Sequence, residues 1–232
     1  YRWPQATEPF MVSVRMIDIA SMVQITDVSV RACLGTDPTC SPAAGLVGMG
    51  ETNAMAVAML AVPRDFVGTF QFNATMGDYM PATALWSQPV YTVRHSYTQR
   101  MITWGVAEGL AAAVGVTVRR DAGHLIFRAH NCLPMRYMGS TRELRADAEG
   151  VSVTFTPPTK DSSKVFYIGA TSSLDPTLEG TESLGGAFGG AFNLPTTLTT
   201  VIAARNGVEV SRAALQIRAG TVGFIYLIPN AL

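Results

Sequence analysis

The chain has 232 residues with 17 basic and 17 acidic side chains, so no net field recruits nucleic acid or an anionic membrane. Charged residues make up only 15% of it and hydrophobic ones 48%, a low charge content for a soluble domain. The longest apolar stretches, Ala54–Val62 and Val222–Ile228, fall well short of the roughly 20 residues of a bilayer-crossing helix, and no membrane span is expected.

All but two of the basic residues are Arg; the lysines are Lys160 and Lys164. A surface so poor in charge is expected to be covered by other subunits. The sequence opens on Tyr1 with no signal peptide before it, which reads as a piece trimmed from a longer precursor.

From the N-terminus, short runs alternate apolar and polar residues, the signature of strands with one buried face. Phe10, Val12, Val14 and Met16 form the first run, and the change of parity at Ile17 and Ile19 predicts a bulge or the strand's end. Val28 and Val30 start the second. Cys33 and Cys40 then flank a Gly-Thr-Asp-Pro turn. The spacing admits a disulfide, but buried thiols are the expected state, with Cys132 as the odd third cysteine. Gly35–Gly50 reads as a long loop. Its Gly45, Gly48 and Gly50 lack the third glycine of a dinucleotide fingerprint.

Asn53–Ala61, capped by Thr52, fits a helix or a buried strand. Phe70 and Phe72 alternate in the next strand, which carries the sequon Asn73-Ala-Thr75, read as accidental. Tyr79–Pro89 is a predicted loop and Gly105–Val114 a predicted helix. Val114, Val116 and Val118 predict a strand, Gly123–His130 and Lys164–Ala170 fully buried ones, and Val151, Val153 and Phe155 another alternating one. Ser140 and Glu143 fit a capping box for a helix ending at Gly150. Thr171–Pro195 reads as loop. Asn206-Gly207, between Leu198–Arg205 and Val208–Arg212, is the strongest hairpin signal in the chain. A turn at Gly220 should return Val222–Ile228 to the same meander.

The expected fold is all-β: one domain over 1–232, a two-sheet antiparallel sandwich of the eight-stranded jelly-roll kind, with long loops and a few short helices. No catalytic, cofactor-binding or metal-ligating residues are assigned. His95, His124 and His130 lack a chelating spacing, since His124 and His130 lie about 20 Å apart along an extended strand. Cys132 has no evident triad. Glu143, Asp147 and Glu149 are expected on the solvated face of a short helix. Arg119, Arg120, Arg128, Arg136, Arg142 and Arg145 form a mildly basic middle without aromatic interleaving, which reads as surface charge and not as a nucleic-acid footprint.

The segment Phe66-Val-Gly-Thr-Phe-Gln-Phe72, with Ala214–Gly220 and Val222–Ile228, resembles strands of picorna-like virus jelly-roll coat proteins. That resemblance implies a structural subunit of an icosahedral capsid in the virion. Its partners would be other copies and related capsid subunits, genomic RNA weakly and locally, and a host receptor. It brings no enzyme activity and no cofactor. The alternative is a secreted or surface β-sandwich that binds glycan or protein through loop aromatics such as Trp86, Tyr97 and Trp104, with an even or oxidised cysteine pattern.

Overall fold

A computed structural model of the chain describes residues 9–35, 40–42, 45–86, 94–132, 145–159, 162–169, 173–182 and 186–227. Among these the protein is mostly β, with sixteen strands and one helix. It divides into two compact units, Tyr1–Val106 and Ala107–Leu232.

The first unit holds β1 (Phe10–Asp18), β2 (Val28–Leu34), β3 (Leu46–Glu51), β4 (Val57–Val62), β5 (Gly68–Ala74), β6 (Ala82–Trp86) and β7 (Arg94–Met101). One sheet has the order β4-β1-β7, and in the other the order runs β6-β5-β2-β3. The predicted alternation of β1 is real: Phe10, Val12, Val14 and Met16 are buried. The strand ends at Asp18, whose Oδ1 accepts from the Ala20 and Ser21 amides and the Ser21 hydroxyl at 2.7–2.9 Å. Between the sheets, Phe70 meets Tyr97 of β7 at 5.7 Å between ring centroids and Phe66 at 5.3 Å.

Several predicted features of this unit change, among them the loop expected over Tyr79–Pro89, within which Ala82–Trp86 is strand β6. Of the two readings of Asn53–Ala61 the helix fails and the strand holds in part: Val57–Val62 is an edge strand paired with β1, half-buried because Met59 and Ala61 are exposed. Thr52 caps no helix, and its hydroxyl accepts from the Val28 amide at 2.9 Å. The glycine-rich loop is also partly strand, because Gly48 and Gly50 lie in β3.

α1 (Trp104–Ala113) contains the division between the units. The Thr103 hydroxyl accepts from the Val106 amide at its start. Gly115, at φ +78°, ends it. Val116 and Val118 follow without forming the predicted strand.

The second unit holds β8 (Gly123–Cys132), β9 (Arg145–Asp147), β10 (Val151–Thr156), β11 (Lys164–Ile168), β12 (Leu174–Asp175), β13 (Phe188–Leu194), β14 (Leu198–Arg205), β15 (Val208–Gln216) and β16 (Val222–Leu227). One sheet runs β12-β11-β13-β8-β16 with β9 paired to β8, and a smaller one runs β10-β14-β15. Residues 145–147 are strand, which corrects the helix expected to reach Gly150; the capping box itself lies outside the described residues. Asn206 and Gly207 take φ values of +51° and +77° in the predicted hairpin. β16, however, leaves that meander and pairs in parallel with β8.

β13 falls inside a predicted loop. Its sequence, Phe-Gly-Gly-Ala-Phe-Asn-Leu, puts Gly189 against the Phe127 ring and Gly190 against the Phe166 ring, where a side chain would collide. The glycines are there for neighbouring aromatic rings and not for a turn.

Both units are sandwich-like, as expected of an all-β chain. Pairing is mostly antiparallel, but β1 with β7 and β8 with β16 are parallel. This order does not confirm an eight-stranded jelly roll.

Candidate functional site

β8 carries three describable side chains that could do chemistry, His124, Arg128 and His130, at positions of one parity and so on one face. Arg128 reaches across to β9, where its Nε and Nη2 donate to Asp147 Oδ1 at 3.0 and 2.7 Å. Its Nε also donates to the Gly186 carbonyl, and the guanidinium lies 4.9 Å from the Phe188 ring centroid. His130 is buried beside this pair. Its Nδ1 is 4.0 Å from Asp147 Oδ1, and its ring stacks on Tyr226 at 5.5 Å. Asp147 is therefore not on a solvated helix face, as its sequence setting suggested. The cluster ties β9 and the Gly186 turn to β8, which makes it a clamp between segments far apart in the chain.

His124 sits elsewhere on the strand in a different environment. It is 2% exposed, its Nδ1 accepts from the Asn193 amide at 3.4 Å, and its ring meets Phe192 edge-on at 5.9 Å. Burial pushes its pKa down to about 4, a fall that a hydrogen bond to the Arg119 backbone only partly offsets. The imidazole is neutral at physiological pH.

Asn193 holds this corner together. It takes φ +58° at a bulge in β13, a conformation in which Asn is favoured over most residues. Its Oδ1 accepts from the Arg119 amide, and its Nδ2 donates to the Thr117 and Ser162 carbonyls, all at 2.9–3.1 Å. The one sequence signal for it was an Asn within an otherwise apolar run.

The structure does not gather the remaining candidates around these. His95 lies on β7 opposite Val12, and the Cys132 backbone pairs with Arg145. Arg119 pairs with Asp121 at 2.6 Å on the surface, and Arg120 lies 4.0 Å from Glu108. Glu149 and Asn73 are exposed. Glu143, Arg136 and Arg142 fall outside the described residues. Trp104 is buried at the start of α1, and Tyr97 packs on Phe70, so neither is offered on a loop. No group of three or more His, Cys, Asp or Glu among the described residues could hold a metal ion. No helix there is long and apolar enough to cross a membrane.

Cys33 and Cys40 are joined in a disulfide with Cα atoms 5.5 Å apart, and both are fully buried. This corrects the expectation of free thiols. The bridge closes the loop after β2, and the Thr69 hydroxyl donates to the Gly35 carbonyl at its base.

No family model matches the chain, and no curated protein matches it in sequence. Solved structures with which it shares a likeness include the shaft pilin SpaA of Lactobacillus rhamnosus GG, at 10% identity over 97% of this chain and 99% of that one, with a TM-score of 0.30. The Streptococcal ancillary pilin aligns at 10% identity over 98% of this chain and 64% of its own, TM-score 0.28. The Bacillus anthracis TIE protein aligns at 11% identity over 95% of this chain, TM-score 0.28, and this chain spans only 33% of its length. At such scores the likeness transfers neither a family nor a function.

The coat-protein expectation is set aside all the same. Of the solved structures just named, SpaA and the Streptococcal ancillary protein are pilins, and none is a viral coat protein. The virion location and the partnership with capsid subunits, genomic RNA and a host receptor fall with it, since they rested on that resemblance alone.

Proposed function

We propose that this chain is a secreted or surface β-sandwich module that acts by contact with protein or glycan and not by catalysis. The observation that carries the reading is the Cys33–Cys40 disulfide. Disulfides form and persist in oxidising compartments and are rare in the reducing cytosol. This one is sealed in the core, where reductants and exchange partners have poor access.

The non-catalytic part of the proposal draws on the histidines. His124 is committed to a buried contact with Asn193, and His130 is stacked on Tyr226 beside an ion pair. Each has a structural role where it stands.

The test is the redox state and place of the native protein. Intact cells or secreted material are treated with a membrane-impermeant amine label and an alkylating agent, then analysed by mass spectrometry. The proposal expects labelled protein with Cys33 and Cys40 linked. Alkylated Cys33 and Cys40 in an unlabelled, cell-internal pool would overturn it. Glycan and protein arrays probed with the purified chain then separate the two ligand classes.

A further inference from the structure

The smaller sheet of the second unit has one sealed edge and one open one. At the sealed edge, the Val151 amide of β10 donates to the Thr181 hydroxyl at 3.1 Å, and the Val151 carbonyl accepts from the Thr181 amide at 3.0 Å. The Val153 amide donates to the Tyr167 hydroxyl at 3.0 Å. Three outward-facing backbone groups of β10, the Val151 amide and carbonyl and the Val153 amide, thus already have partners.

β15, at the opposite edge, is nine residues long and among the described residues pairs only with β14. Among the described residues none hydrogen-bonds to its outer edge. Such a strand is a template for another. It is partly guarded: the register shift opposite Ala203 and Ala204 leaves Val210 unopposed, and Glu209 and Arg212 form an ion pair at 2.9 Å beside it. Past the bulge the guard ends. Ser211 to Gln216 pair in regular register with Ala203 to Leu198, and Ala213 and Ala214 offer no bulk to keep a neighbour away.

We propose that β15 is a self-association edge, at which two copies of this chain pair their β15 strands antiparallel about a two-fold axis at Ala214. An antiparallel edge is complementary to itself under such a rotation, because each donor meets an acceptor of the other copy. Charge selects the register. An axis at Ala214 sets Arg212 opposite the neutral Gln216 of the second copy, whereas an axis at Arg212 would set two guanidiniums face to face. An axis at Ala213 would draw the bulged Val210 into the ladder. Of these three axes, only the one at Ala214 keeps both the bulge and the like charges out. The product is a continuous six-stranded sheet, β10-β14-β15 followed by its mirror order from the second copy. The inference stands apart from the compartment of the chain, since it concerns the purified protein alone.

The experiment combines sedimentation with cross-linking in a Cys132→Ser background. Dimer is expected to build up with concentration. Ala214→Cys should give a disulfide-linked dimer under mild oxidation, because facing residues in such a pair bring their Cβ atoms to about 4.5–5.5 Å. Thr154→Cys, exposed on β10 at the sealed side, should not. Ala214→Lys, with its fold checked by circular dichroism, should weaken association at least about tenfold, the effect of about 1.4 kcal/mol. A chain that stays monomeric at high concentration overturns the proposal. So does a dimer that Ala214→Lys leaves intact, or cross-linking that is as fast at Thr154→Cys as at Ala214→Cys.

Discussion

Gly50 lies directly against the carbonyl oxygen of Met59: a methyl group on its Cα would sit 2.7 Å from that oxygen. Gly48 stands in the same relation to Ala61. β4 is an edge strand of one sheet and β3 an edge strand of the other, so the unpaired carbonyls of β4 face glycine Cα–H groups, which are weak donors. The two glycines let the first unit close its sandwich at this corner without a gap.

Gly50→Val is therefore expected to force β3 away from β4. The cost should be of the overpacking kind, about 1–3 kcal/mol, seen as a lower urea midpoint. Gly109→Val is the control, as nothing lies within 4 Å of a Cβ there. Equal midpoints for the Gly50 and Gly109 variants would contradict this account of the corner.

That corner also marks what the sequence could and could not show. Several local signals survived, namely the alternation of β1, the Asn206-Gly207 hairpin and the helix ended by Gly115, while the alternation of Val114, Val116 and Val118 formed no strand. Others failed where the reason for a residue lies on another strand. Gly48, Gly50, Gly189 and Gly190 read as loop because glycine usually marks turns, yet each answers to a carbonyl or a ring on another strand. The clamp between Arg128 and Asp147 was hidden in the same way, by 19 residues of separation. Sheet order was not legible at all, since the parallel partners of β1 and β8 carry no local mark. The coat-protein resemblance rested on strand-like segments that many β-sandwiches share, and nothing in those segments specifies how the strands are ordered.

The buried His124 should make stability depend on pH. Its folded-state pKa of about 4 lies below the ordinary 6.5, so protons bind the unfolded chain more readily. Its neutral form contributes fully above pH 6.5, and the contribution is lost as pH falls from 6.5 towards 4. At about 1.4 kcal/mol per pKa unit the loss is about 3 kcal/mol. His124→Gln keeps a hydrogen-bond acceptor and cannot titrate, so its urea midpoint should vary less across this window than that of the parent chain. Two parallel pH profiles would mean that another group governs acid stability.

The Cys33–Cys40 bridge closes a short loop, with a sequence separation of 7. Loop-closure entropy for that length stabilises the fold by about 2–3 kcal/mol. A Cys33→Ala, Cys40→Ala double variant should unfold at lower temperature than the parent while keeping its far-ultraviolet spectrum, because β2 and β5 pair independently of the loop. Loss of the whole β spectrum at low temperature would show that the bridge is required for folding and is not only a constraint on the unfolded chain.

Asn193 joins three segments through one amide, and its replacement separates two physical contributions. Its side chain hydrogen-bonds the Arg119 amide and the Thr117 and Ser162 carbonyls. Removing it leaves three part-buried backbone groups, on the exposed residues Thr117, Arg119 and Ser162, without this partner; each lost bond costs about 0.5–1.5 kcal/mol, since water can replace part of it. Its backbone, at φ +58°, adds a second demand that Gly meets and Ala does not. Asn193→Gly should therefore lose the hydrogen bonds but keep the bulge, and Asn193→Ala should lose both. Asn193→Asp keeps an acceptor for the Arg119 amide while turning a carboxylate towards two carbonyl oxygens, a repulsion inside a buried site. The expected order of stability is parent, then Gly, then Ala, with Asp below Gly. Urea unfolding of the four proteins near neutral pH measures it. If Asn193→Ala matches Asn193→Gly, the positive φ carries no cost and the side-chain hydrogen bonds alone account for this residue. If Asn193→Asp is as stable as the parent, the amide nitrogen is not the donor that holds Thr117 and Ser162 in place.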